Sequence, residues 1–565
     1  MLLHIQRWTN SAVKTCDCNA DFSGPRGKTA CLGARVRLRH PILSCVVLAL
    51  VAGAGMRGAA AQPAPGAVVP NSITINGYTV QGNHLLSELA IDNAVYPYLG
   101  PGQTVRSVDV ARAALQKAYA DEGYETVQVE IPPQHVQGGV VILQVMEEPV
   151  GRLHVNGSHY FSLNKIKAQA PSLAPGQVPN FKRIKHDIIA LNQWPDRQVI
   201  PSLQAGEQPQ TVDVNLNVKD TLPLHGSLSL DNRYSSNTKP LRVDASLTYD
   251  NLWQRGDTLN VAFQIAPQRP SDALVFSGSY LARIPNTDWL TLLFYGMVSN
   301  SKVATVGNIN VVGRGQVLGL RALATLPSGS GFSDNLSAGI DYKHFDQNVE
   351  LGGATELSPV TYYPLTATYS ANWQGDASTT QFDLGPTFNI RGLGSNPAAF
   401  DNKRAYGESN FIYLRGDLSR LQDLPRGFQL FVKAQGQLSD EPLVNSEQFS
   451  VGGQDTARGY LESEVLGDDA ITTSVELRSP PLAQYINPKV TDWRIFLFND
   501  DGWATILSPL PQQKSRFDVA SVGVGTRVQL VNHLNGSVDV ALPLRNSVVT
   551  RADQLRVEFR VWVQF

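Results

Sequence analysis

A single arginine stands among three glycines in Gly452-Gly453-Gln454-Asp455-Thr456-Ala457-Arg458-Gly459-Tyr460. Glycines let a backbone take positive φ and approach a wall closely, and an arginine offers a planar fork of donors that fits a carboxylate. A candidate partner follows in Phe498-Asn499-Asp500-Asp501-Gly502. Residues of these types hold and bind. Read alone, the first stretch is equally a solvated hairpin loop carrying one arginine. No other set of residues argues for catalysis. His84, His135, His154, His159 and His186 show no H-x-x-x-H spacing with a carboxylate. His225, His344 and His533 fall into no Ser/His or Asp/His site. The cysteines Cys16, Cys18, Cys31 and Cys45 all precede residue 46, and the Cys16/Cys18 pair has no second half. The expectation is no enzyme, no catalytic residue, no metal site and no cofactor.

The elements that must position the arginine are strands. From Pro223 to Phe565 the chain runs in alternating segments of about ten residues, separated by Gly, Asn, Asp and Pro. They read as Ser227–Tyr234, Arg242–Tyr249, Thr258–Ile265, Leu274–Leu281, Leu290–Val298, Val317–Thr325, Leu336–Tyr342, Thr361–Trp373, Thr380–Ile390, Asn410–Leu418, Gln429–Gln437, Ile471–Leu477, Trp493–Phe498, Val519–Leu530, Gly536–Ala541 and Gln554–Phe565. About sixteen such strands is an even count in the range of bacterial outer-membrane barrels. The last is the clearest. Leu555, Val557, Phe559, Val561, Val563 and Phe565 face one way, while Arg556, Glu558, Arg560, Trp562 and Gln564 face the other. An apolar face toward lipid and a polar face toward a lumen produce this pattern, as would the core of a soluble sandwich.

Upstream the periodicity is different. Ser72–Glu148 reads strand, helix, helix, strand, strand. Its helices fall at Ser87–Tyr98 and Ser107–Glu122, with Ser107 as N-cap and Gly123 as the closing residue. A second unit follows from Arg152: helices at Leu163–Ala170 and Lys182–Leu191, and closing strands at Val199–Leu203 and Val212–Val218. Two such units of roughly 75 residues form an internal repeat.

The amino terminus reads as a targeting segment. Arg35-Val36-Arg37-Leu38-Arg39-His40 precedes the apolar run Pro41–Gly55, and Ala59-Ala60-Ala61 offers a cleavage site before Gln62. The apolar run is too short for a membrane helix and suits a signal peptide within residues 1–61, in which residues 1–34 are either an extended n-region or lie upstream of the true start. Cleavage leaves a chain without cysteine, which suits an oxidising compartment. Of 565 residues only 17% are charged, and the net charge is −2. Such a balance gives no basic face for nucleic acid.

Several motifs, in order, carry a resemblance. The opening pair is similar to the VRGY loop and F-x-D-x-G strand of two-partner secretion transporters (the TpsB, or haemolysin secretion/activation, family), with Ala457 where valine is usual. Ile131-Pro132-Pro133-Gln134 and the run through Gly123-Tyr124 resemble POTRA elements, as does Leu191-Asn192-Gln193-Trp194-Pro195-Asp196-Arg197 in the second unit. Tyr249-Asp250-Asn251-Leu252, Arg255-Gly256-Asp257, Ser446-Glu447-Gln448-Phe449 and Glu476-Leu477-Arg478-Ser479-Pro480 also match family signatures.

The resemblance implies POTRA 1 at 72–148, POTRA 2 at 149–221 and an outer-membrane β-barrel at 222–565. Loop 438–469 would lie in the lumen. Gly452, Gly453, Arg458, Gly459 and Tyr460 would form the lumenal motif, with Phe498, Asp500 and Gly502 on the wall and Phe565 as the terminal assembly signal. The POTRA modules would lie in the periplasm and the partner would be a secreted, TpsA-like exoprotein bound through its amino-terminal secretion domain. Outer-membrane lipid and the barrel assembly machinery would be further partners, and nucleic acid would not. An outer-membrane protein insertase of the same superfamily is the alternative, although those more often carry one or five POTRA modules. Asp501 should face away from Asp500. The short linker 62–71, with Pro63, Pro65 and Pro70, opposes a lumenal plug helix.

Overall fold

The computed structural model describes residues 72–565, apart from short stretches at 286, 288, 302–303, 307–308, 312–313, 347, 352–353, 486–489 and 532. The expected signal peptide, the linker 62–71 and the question of a plug helix lie outside the described residues.

The first module comprises β1 (Ile73–Ile75), β2 (Gly77–Gln81), α1 (Glu88–Val95), β3 (Gly100–Gln103), α2 (Val105–Asp121), β4 (Gln128–Glu130) and β5 (Val140–Met146). Its main sheet has the order β2-β5-β4, with β2 parallel to β5. Strands β1 and β3 pair separately, an addition to the expected order. Helix α2 begins two residues before the expected Ser107. Thr104 is the N-cap, and Ser107 returns the bond to the Thr104 backbone in a capping box. Leu115 and Tyr119 on α2 pack on Val129, Leu143 and Val145. Pro132 and Pro133 stop β4, and the Gln134 amide replaces the lost ladder: it donates to Ile142 O and accepts from Ile142 N, both at 2.8 Å.

The second module repeats the plan with β6 (Val150–Asn156), α3 (Leu163–Ala168), α4 (Phe181–Leu191), β7 (Arg197–Ala205) and β8 (Val212–Asp220), its sheet ordered β6-β8-β7. Asn180 caps α4 and also donates to Glu122 O of the first module at 3.1 Å. Arg197 is buried, donating to Leu191 O and Gln169 and lying against Phe161 and Trp194. Burial pushes its guanidinium down to about 10.

The rest is one closed antiparallel barrel of sixteen strands. They are β9 (Leu224–Asp231), β10 (Arg242–Leu252), β11 (Asp257–Ile265), β12 (Leu274–Arg283), β13 (Leu290–Ser299), β14 (Gly315–Thr325), β15 (Phe332–Phe345), β16 (Val360–Tyr362 continuing as Leu365–Gln374), β17 (Ser378–Phe388), β18 (Ile412–Asp423), β19 (Gln429–Ser439), β20 (Asp469–Arg478), β21 (Val490–Thr505), β22 (Arg516–Leu530), β23 (Leu534–Pro543) and β24 (Arg556–Gln564). Strand β24 closes on β9, pairing Arg560 with Asp231 and Gln564 with Ser227. Leu555, Val557, Val561, Val563 and Phe565 are exposed on the outer face, and Glu558 is buried inside. Among the described residues no helix is long and apolar enough to cross a membrane.

The second module sits on the barrel's base through the turn between β10 and β11. Ser162 N donates to Gln254 Oε1 at 2.8 Å, and Gln254 Nε2 donates to Tyr160 O at 3.0 Å. Trp194 lies over Gly256, with Arg283 above its ring at 4.7 Å.

Candidate functional site: the lumenal loop and its wall

The connection between β19 and β20, residues 440–468, folds into the barrel rather than away from it. A short hairpin pairs Phe449–Val451 with Val465–Gly467. Its tip closes through mutual backbone bonds of Gly453 and Ala457. Gly452, Gly453 and Gly459 have φ of +110°, +97° and +91°, a region in which a side chain is strained. Gly459 also brings the chain against Ala541 and Pro543 of β23.

This geometry delivers Arg458 to the wall, where it is 3% exposed. Its Nε and one terminal nitrogen donate to the two oxygens of Asp500 at 2.7 and 2.8 Å. The other terminal nitrogen reaches Glu476 at 2.7 Å, and Ser474 Oγ accepts at 3.0 Å. The Arg458 backbone N–H adds a third bond to Asp500. Phe498 supplies a ring face 3.7 Å from the guanidinium carbon. Gly502 leaves room for the loop, because a Cβ there would stand 2.9 Å from Val451 Cγ1. Asp501 points outward, bonded to Asn499. Tyr460 is fully buried, its hydroxyl donating toward Ala520 O or Arg545 O, each at 2.9 Å. Ala457 packs among Phe449, Val451, Val465 and Val519. Phe565 follows the last strand directly, its backbone paired with Gly226.

The structure therefore brings Arg458, Asp500, Phe498, Gly502 and Tyr460 together. Glu476, which sequence reasoning quoted without a role, is the second carboxylate. It also accepts from Arg478 at 2.6 Å and lies 3.4 Å from Arg527. Its inward position on an alternating strand, four residues before Pro480, was the available signal.

Two further anchors are Glu447, quoted in a family signature without a role, and Asp468, which no motif marked. Glu447 accepts from Lys343 and Tyr362 at 2.6 Å each and from Tyr413 at 2.8 Å. Asp468 takes a two-pronged contact from Arg404 at 2.6 and 2.9 Å, and also caps Leu443 N and Leu507 N. Around Glu447 an apolar cluster of Phe345, Tyr362, Phe400, Phe411, Leu443 and Val444 fills the loop-covered end of the lumen. Two of the barrel histidines, for which the sequence offered no partner, stand beside carboxylates: His225 lies between Asp196 and Asp250, and His344 is 3.0 Å from Asp346.

A sixteen-strand barrel bearing two α+β modules at its base, with an inward loop pinned by arginine, defines an outer-membrane transporter of the POTRA–barrel superfamily. Residues 73–148 match the POTRA domain of ShlB type. Residues 210–528 match the haemolysin secretion/activation protein family ShlB/FhaC/HecB, and the chain belongs to that family. The outer membrane transporter CdiB of Escherichia coli O6:K15:H31 is 23% identical over 501 residues, covering 85% of this chain and 80% of that protein. The heme/hemopexin transporter protein HuxB of Haemophilus influenzae strain 86-028NP is 21% identical over 462 residues, 79% of each chain. The solved structure of CdiB from Escherichia coli overlays with a TM-score of 0.59 at 19% identity, covering 90% of this chain and 93% of that one. The chain is a two-partner secretion transporter of the outer membrane, with its POTRA modules in the periplasm.

Proposed function

We propose that the two periplasmic modules capture one exported protein through its amino-terminal secretion domain, while it is unfolded, and that the barrel passes it to the cell surface. An exposed sheet edge suits this task, since an added strand is held by backbone hydrogen bonds that tolerate many sequences. The three-residue β4, at the edge of its sheet, offers such a place. The chemistry is non-covalent and the protein is not an enzyme. Outer-membrane lipid contacts the apolar outer face, and the barrel assembly machinery inserts the protein.

The observation that carries this reading is the anchorage of loop 440–468. The loop occupies the lumen and is held by polar and ionic contacts at Arg458, Glu447 and Asp468. Such contacts can release and re-form as discrete units, which a conduit needs and a rigid porin does not. Affinity capture from periplasmic extract tests the proposal. A single secreted protein should be retained, and loss of the modules should abolish retention. Retention of many different barrel precursors would favour the insertase reading.

A further inference from the structure

At the seam between the second module and the barrel, three side chains from separate segments converge. Asp196 comes from the turn between α4 and β7, His225 from the start of β9 and Asp250 from the end of β10. We infer that they form a divalent-cation site of zinc type, fastening the second module to the base of the pore.

The geometry supports this in four respects. The His225 Nε2 lies 3.0 Å from Asp196 Oδ2 and 3.6 Å from Asp250 Oδ2, and all three donor atoms fall within 4.8 Å of one another. A tetrahedral ion with bonds of about 2.0–2.2 Å has ligand edges of roughly 3.3–3.6 Å. Small side-chain rotations close the triangle around such an ion.

The outer oxygens are already engaged. Asp250 Oδ1 accepts from Thr258 Oγ1 at 2.9 Å, and Asp196 Oδ1 accepts from Thr221 Oγ1 at 3.3 Å. Each carboxylate thus turns its Oδ2 toward the imidazole with its other oxygen held, the arrangement that orients metal ligands.

The two carboxylates carry two negative charges, of which a protonated imidazole offsets one. Among the described residues neither carboxylate makes an ion pair with lysine or arginine; the imidazole is their shared partner. Arg197 is turned to Leu191 O, and Arg283 lies over Trp194 and acts on Asp250 only at longer range. Two carboxylates sharing one site repel unless a positive charge stands between them.

The donor set selects the ion. One imidazole and two carboxylates suit a first-row divalent metal, whereas calcium and magnesium favour all-oxygen shells. The His225 side chain is 35% exposed, so an ion can enter from the periplasm and keep a water as its fourth ligand. With one ligand from the module and two from adjacent strands, the ion would hold the module's orientation relative to the lumen.

Full-length protein in detergent, stripped with a chelator, is titrated with Co2+ and then Zn2+ at neutral pH. The expected result is one Co2+ per chain with the visible bands of a tetrahedral site, displaced by Zn2+. His225→Ala and Asp250→Asn should each weaken binding by at least about tenfold. Zn2+ should protect the module–barrel joint from protease in the wild type alone. The wild-type Co2+ spectrum needs no variant, so misfolding of a variant cannot rescue or sink the idea. Absence of a tetrahedral spectrum, or stoichiometric binding that both variants retain, overturns it. So does protection that follows pH but not Zn2+, since the imidazolium alone would then be the tie.

Discussion

Trp194 covers Gly256 so closely that a Cβ built on the glycine would stand 1.2 Å from the indole Cη2. One residue belongs to the second module and the other to the first periplasmic turn of the barrel. Gly256 also has φ of +77°, which disfavours any other residue. The Arg-Gly-Asp turn is therefore a docking surface. Asp257 is fully buried, accepting from Tyr280 at 2.6 Å and from Arg283 N at 2.9 Å. Gly256→Val should leave the barrel folded, read as retained heat-modifiable mobility, while the joint near Tyr160 and Gln254 becomes protease-sensitive. An undisturbed joint would show that the indole can move aside.

Glu447 makes the second prediction. Removing its carboxylate strands Lys343 and two tyrosine hydroxyls in a dry cluster, and breaking a buried ion pair of this kind costs about 3–5 kcal/mol. Glu447→Ala should loosen the extracellular closure and raise ion conductance in planar bilayers. Glu447→Gln, which keeps the shape and loses the charge, should fall between. Wild-type conductance in both variants would mean the apolar cluster closes the lumen alone.

A third concerns pH. Burial works to raise the Asp220 pKa, but hydrogen bonds from Tyr160 N, Ser158 Oγ and His159 N outweigh it and hold the carboxyl below the ordinary range. A depressed carboxylate adds stability that is present above its unfolded pKa, about 3.9, and is lost as pH falls through the folded value. Asp220→Asn should lower the melting temperature at pH 7, and the difference from wild type should shrink as pH falls below 4. A difference that persists unchanged in acid would place the effect in packing.

The barrel was legible because its physics is periodic. Lipid outside and a polar lumen inside force alternation, and all sixteen expected strands appear, with altered ends. The helical modules were legible less finely. Thr104 and Ser107 stand three residues apart, either able to cap, and the reciprocal box that uses both is decided by backbone geometry. Gly100-Pro101-Gly102-Gln103, left unassigned between the two expected helices, pairs with Ile73–Ile75 as a small edge sheet. The Arg458–Asp500 pair came from resemblance, and its second carboxylate needed the register of β20 against β21, which sets Ser474 opposite Asp500 and Glu476 opposite Phe498. The Asp196, His225 and Asp250 cluster lay beyond reach, since no local spacing links residues from two domains.

The facing of β24 gives a fourth prediction. Val561 is 46% exposed on the outer wall, while Arg560 lies inside over Trp562. Val561→Arg should cost about 2–4 kcal/mol at mid-membrane depth and reduce assembly. Arg560→Gln should assemble nearly as wild type. Equal assembly of the two would mean the outer face there does not meet lipid.

The last prediction concerns the arginine itself. Arg458→Ala and Asp500→Ala should each reduce export of the partner severalfold, normalised to barrel abundance, while the barrel still reaches the membrane. Glu476→Gln should impair less, because Asp500 still holds two guanidinium nitrogens and the loop's backbone N–H. Asp501→Ala should be near neutral, since that side chain faces outward. The charge swap Arg458→Asp with Asp500→Arg is the sharper test. In a simple pair it would restore function. Here it would set a new carboxylate beside Glu476 and a new cation on the wall near Arg478 and Arg527, so like charges would meet on both sides. The swap should therefore export no better than either single variant. Recovery toward wild type would show that Arg458 and Asp500 act as an isolated pair and that Glu476 is a bystander.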